Sequence, residues 1–153
     1  MDSKACIQKL IHLSVQKLHI MKEKSQLIED ETYFTESESM TEVDAIDQIK
    51  SVLEEKLLTL DIEFLKFYGH VLEREGISKL TDIDTEEHPS LSDLQSTVVK
   101  IRNLEDQIES SEQGLIEMRN EHIRSLGSKM KLKKQGARMI GAYQKQMKKK
   151  SNG

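Results

Sequence analysis

Apolar residues recur along this chain at three- and four-residue steps, the period of an α-helix buried on one face. The clearest run is Ile46, Ile49, Leu53, Leu57, Leu60, Phe64, Phe67 and Val71, with steps of 3, 4, 4, 3, 4, 3 and 4. It predicts a helix over residues 41–74. Thr41 and Asp44 stand where a capping box belongs, and Gly76 stands where a helix end favours glycine. Upstream, Ile7, Leu10, Ile11, Leu18, Met21 and Ile28 predict a helix over residues 3–29, capped by Asp2 or Ser3. Leu13, Val15, Ile20 and Leu27 widen its stripe, as two packing neighbours require. Residues 31–40 are polar and read as a connection.

Residues 77–89 read as a second connection. Pro89 stands where a helix starts, and Ser90 with Asp93 offers an alternative cap. Leu91, Leu94, Val98, Ile101, Ile108, Leu115 and Met118 then predict a third helix that ends near Leu126. Glu105 and Glu112 interrupt its stripe, which predicts weaker packing there. Gly127 reads as a junction. Beyond it, Gly136 and Gly141 oppose helix formation at about 1 kcal/mol each. Met130, Ala137, Ile140 and Met147 still recur at helical spacing. The expected fold is all-α: an elongated antiparallel bundle of three long helices over residues 1–126. Residues 127–153 form a marginally helical C-terminal arm.

Composition supports the helical expectation, with 33% charged residues, 4% aromatics, a single proline and no tryptophan. Charge adds something the periodicity does not show. Residues 1–118 hold 26 of the 27 acids and 12 of the 23 bases, a net of −14. Residues 119–153 carry +10, and no acid follows Glu121. The arm is therefore basic as well as amphipathic.

The one cysteine, Cys6, excludes an intramolecular disulfide and fits a reducing compartment. No apolar run approaches the roughly 18 residues of a membrane span, and the first ten residues lack the pattern of a secretion signal. A cytoplasmic protein with no membrane insertion is expected.

Catalytic and metal chemistry find little footing. His12, His19, His70, His88 and His122 are scattered, with no second cysteine and no histidine pair at metal-ligand spacing. His12 and His19 share a helix face, which fits two polar-face imidazoles. There is no phosphate-cradling glycine loop. Glu54–Glu55 and Glu86–Glu87 read as solvated charge. The expectation is a protein without enzymatic activity, metal or cofactor.

Three roles fit a basic arm. It can be a solubilising tail. It can bind nucleic acid through its ten net charges, but Tyr143 is its one aromatic for stacking and the acidic residues 1–118 repel the same polyanion. It can be a docking helix that grips a protein. The third role accounts for the apolar positions, and Met suits a surface that adapts to its partner. The expected contact set is Leu126, Met130, Leu132, Ala137, Met139, Ile140, Tyr143 and Met147, with Lys133, Lys134 and Arg138 steering an acidic partner.

Three stretches resemble the flagellar export chaperones of the FlgN type, with the FliT type as a close architectural relative. "DAIDQIKSVLEEKLLTLDIEFLKFY" (residues 44–68) is similar to that family's second helix. "HPSLSDLQSTVVKIRNLEDQIESSE" (residues 88–112) opens on a proline and a Leu-Gln step and continues in the family's apolar rhythm. "MKLKKQGARMIGAYQKQ" (residues 130–146) is similar to the basic ending with an Ala-Tyr step. The resemblance implies a small helical chaperone of the bacterial cytoplasm, without ATPase activity. Such a chaperone binds the C-terminal segments of hook–filament junction proteins and delivers them to the flagellar type III export gate. The C-terminal segment would supply the client contacts and Tyr143 the gate docking. A monomer or weak homodimer is expected, with a homo-oligomeric coiled coil as the alternative architecture.

Overall fold

In the computed structural model the backbone is described through Asn152 and the side chains through Lys149. The chain is all-α: α1 spans Ser3–Glu36, α2 Met40–Glu75 and α3 Leu91–Asn152, with a short 3₁₀ turn at Leu80–Asp82. No strand occurs among the described residues. Two compact units divide the chain, Met1–Gln113 and Gly114–Gly153.

Local chemistry explains most helix ends. Asp2 caps α1, its carboxylate accepting a hydrogen bond from the Ala5 N–H at 2.7 Å. At the end of α2, Gly76 adopts φ 64°, the left-handed region that side chains disfavour. Its N–H donates to the Glu73 carbonyl, and the Ile77 N–H reaches back to Leu72, so two orphan carbonyls are satisfied. The start of α2 differs from expectation. The helix begins at Met40 after Ser39, with no side-chain cap bond, so Thr41 and Asp44 form no capping box.

α1 runs seven residues beyond its expected end. The segment read as a polar connection is helical because its polar groups are used. Glu31 is fully buried and takes a hydrogen bond from the Lys50 ammonium at 3.1 Å. The hydroxyls of Thr32, Thr35 and Ser37 donate to carbonyls one turn earlier. Only Ser37–Glu38–Ser39 separates α1 from α2, and Glu38 takes φ 59° to make the turn.

Within residues 1–113, two clusters form the core. Cys6, Ile7 and Leu10 of α1 meet Val71 of α2, Ile83, and Leu91 and Leu94 of α3. Further along, Met21 and Ile28 meet Ile101 and Ile108, with Leu57 beside them. Two positions of the expected stripes face outward instead: Val15 and Ile49 are each about half exposed.

Charged groups extend the same packing. Lys17 reaches Asp61 of α2 at 2.8 Å and Glu105 of α3 at 3.4 Å. One heptad on, Lys24 reaches Glu54 at 3.4 Å and Glu112 at 3.7 Å. Lys50 joins Glu31 and Glu112 at 3.1 and 3.4 Å. These pairs also give the helix directions. As the α1 partner rises from 17 to 24 to 31, the α2 partner falls from 61 to 54 to 50. The α3 partner rises from 105 to 112. α2 therefore runs antiparallel to α1, and this part of α3 runs parallel to it. Glu105 and Glu112, which interrupt the apolar stripe, are inter-helix ties rather than gaps.

Burial lowers the proton affinity of Lys17, but the hydrogen bond and charge of Asp61, joined by Glu105, outweigh it and hold the ammonium above the usual lysine range. Lys50 is raised in the same way, with Glu31 and Glu112 overcoming burial. A raised folded-state value stabilises fully below the unfolded lysine value of about 10.4 and is lost as pH climbs through the folded one. Stability to urea should therefore fall as pH rises above the unfolded lysine value of about 10.4, and a Lys17→Met, Lys50→Met variant should show a shallower fall. Equal alkaline slopes would show that the ties contribute nothing. Lys50→Met alone takes the ammonium from a fully buried carboxylate, and should cost about 3 kcal/mol at neutral pH by denaturant unfolding.

Candidate functional site

The expected contact residues lie on the last part of α3. That helix passes through Gly127, Gly136 and Gly141 without interruption, so the expected break after Leu126 is absent. Lys, Gln, Met, Leu, Ala and Arg, all good helix formers, surround the glycines and offset their cost. An added Cβ at any of the three meets nothing within 4 Å.

The side chains of the candidate set are solvated. Leu126, the least exposed of the large ones, is 46% exposed, and Met139, the most exposed, reaches 73%. Ala137 is exposed as well, as are Lys133, Lys134 and Arg138. Regularity makes the exposure informative. Ile116, Ile123, Met130 and Ala137 fall seven residues apart, and Leu126, Ile140 and Met147 occupy the complementary row three residues on. This is the a/d spacing of a helix that pairs with another helix. It is not a continuation of the core row, because Leu94, Ile101 and Ile108 keep a different seven-residue phase. Ile116 and Ile123, both exposed, belong to this row and were missed. A search by heptad rather than by nearest apolar neighbour finds them.

A second apolar surface has no counterpart among the expected sites. An open groove of about 870 Å³ lies between α1 and α2, lined by Val15, Ile20, Val52 and Leu60, with His19, Glu23, Glu55 and Lys56 at its polar positions. His19 pairs with Glu23 at 3.2 Å. Val15 and Ile20, expected to widen a core stripe, line this groove instead.

Among the described residues the fold also gathers one group of metal-type ligands. The turn after Gly76 brings Glu75 near Glu87 and His88, with one ligand atom of each within 4.8 Å of the others. His88 Nε2 lies 3.4 Å from Glu75 Oε1. A divalent cation would find one imidazole and two carboxylates there, but solvated carboxylates gather in this way without any ion. Spacing along the chain hides the group, since twelve residues separate Glu75 from Glu87. Cys6 is buried in the first core cluster. No helix among the described residues is long and apolar enough to cross a membrane.

No family model, curated protein or solved structure matches the chain. The functional argument therefore rests on the residues and their geometry.

Replacing Gly127, Gly136 or Gly141 by Ala should favour the helix of this segment by about 1 kcal/mol each, because nothing opposes the added methyl. Amide exchange across residues 128–149 should slow with each replacement. Unchanged exchange would mean that the segment is not helical in free solution.

Proposed function

We propose that this protein is a cytoplasmic binding chaperone of the type III export kind. It would hold the C-terminal segments of hook–filament junction proteins soluble and present them to the flagellar export gate. In this reading the first three helical stretches form an elongated antiparallel bundle, and the basic C-terminal segment is the client-binding arm. One observation carries the proposal: an amphipathic helix whose apolar row, from Ile116 to Met147, is exposed along its length.

A client segment with its own unpaired apolar stripe would lay that stripe into this row, each helix covering the other. Methionine and glycine keep the row adaptable, and the ordering that binding requires gives back on the order of 2–5 kcal/mol. Both effects suit a partner that must let go. Lys133 and Lys134, on and beside the apolar row, would speed capture of an acidic client more than they tighten it. Tyr143, 64% exposed, keeps the role of gate contact that the family resemblance implies.

The same a/d row also favours a second reading, a homo-oligomeric coiled coil. Like charge weighs against it, because two copies of the +10 segment 119–153 repel in either orientation. Sedimentation of the full chain at micromolar concentration separates the readings: a monomer fits the chaperone, and a stable elongated dimer fits the rod.

The direct test uses full-length protein and a hook-junction C-terminal peptide. Met139→Ser, Ile140→Ser and Met147→Ser together should weaken peptide binding at least tenfold, about 1.4 kcal/mol or more, with the helical signal of the chain preserved. Retained affinity would refute the arm as the client site. Tyr143→Ala should impair export more than peptide binding; equal losses would make Tyr143 a plain client contact.

A further inference from the structure

The other side of the same helix has a different chemistry. Arg124, Lys131, Arg138 and Lys145 stand seven residues apart. Seven residues advance an α-helix by about 10.5 Å and bring it back to within about 20° of the same direction. The four charges therefore follow one line about 32 Å long. All four side chains are exposed. None forms a salt bridge among the described residues. On a wheel of 100° per residue, this row lies about 100° from the Ile123, Met130 and Ala137 row and about 160° from the Leu126, Ile140 and Met147 row. The basic row thus faces away from the apolar one.

We infer that the row Arg124–Lys131–Arg138–Lys145 is a second docking surface, separate from the apolar face, and that it receives an acidic helical segment of another protein. The pitch supports a helix as the occupant. Carboxylates at every seventh position of a partner helix repeat at the same interval and can meet each base in turn. Extended polyanions fit less well. The row contains no aromatic side chain on which a base could stack, and the net −14 of residues 1–118 opposes any long anionic chain or sheet of charge. A bilayer is disfavoured by sidedness. An interfacial helix buries its apolar face in the lipid, whereas a membrane that engaged this row would leave Met139 and Ile140 in water.

Because the two rows point apart, occupation of one leaves the other open. The helix then connects two partners, one held by apolar burial and one by charge. This inference stands independently of who occupies the apolar face.

The test uses the full chain and a labelled alanine-rich helical peptide with glutamate at every seventh position, read by fluorescence anisotropy at low salt. A peptide of the same composition with its glutamates spread over all faces is the control. Replacing Arg124, Lys131, Arg138 and Lys145 by Gln together should weaken binding of the first peptide by about tenfold or more. Met139→Ser with Ile140→Ser should leave that binding unchanged, which separates this surface from the client face. Equal binding of the control peptide would overturn the inference. So would tighter binding of duplex DNA or phosphatidylserine vesicles than of the first peptide, or equal loss in the Met139, Ile140 variant.

Discussion

The packing of residues 1–113 depends on lysines held between helices at a seven-residue pitch. Apolar burial drives association but has no direction, and a row of Leu and Ile can slide by a heptad with little penalty. The charges forbid that slide. Lys17 and Lys24 of α1 match Glu105 and Glu112 of α3 at equal spacing. Slipping α3 by one heptad one way sets Glu112 level with the buried Glu31. Slipping it the other way sets Glu105 level with Leu10, which is fully buried. Glu105 beside Leu10 would lose its lysine in a poorly solvated place, a loss of several kcal/mol, and Glu112 beside Glu31 would crowd two carboxylates onto Lys50. The ties add little attraction where their acids are half solvated. Their larger effect is on which register survives.

That constraint also shows why sequence reading succeeded in some places and failed in others. The three apolar stripes and Gly76 are local signals, and the helices follow them closely. Glu105 and Glu112 looked like defects because their partners lie on α1, some 88 residues away in each case. Glu31 looked like loop because a fully buried carboxylate is intelligible only beside Lys50. The α1–α2 turn gave no warning at all. It relies on Glu38 in the left-handed conformation that favours glycine. At Gly127 the reverse holds: a glycine has the look of a stop, but isolated glycines inside a long run of helix formers only lower the helix's margin.

The candidate site was legible in part. Its apolar members, from Leu126 to Met147, were read from spacing, and all are solvated. Nearest-neighbour spacing obscured two features that heptad spacing reveals. One is the extension of the apolar row back to Ile116. The other is the separation of Arg124, Lys131, Arg138 and Lys145 into a row of their own. The α1–α2 groove could not have been read from either helix alone. It arises because Val15 and Val52 sit just outside the stripes that pack together.

The composition of the exposed row bears on how firmly it would hold a partner. A permanent helix pair places Leu, Ile or Val at nearly every a and d position, because stiff, branched side chains lose little entropy on packing and fill a fixed shape. Here those positions include Met130, Ala137, Gln144, Lys133 and Met147. Methionine brings area with many shapes, alanine brings little area, and a lysine or glutamine at the seam carries a desolvation cost. The glycines at 127, 136 and 141 further reduce what the helix can contribute before a partner arrives. Each choice lowers affinity and widens the range of surfaces that can be met. A row of this kind is poorly suited to a structural rod and well suited to a contact that must form, tolerate variation and end.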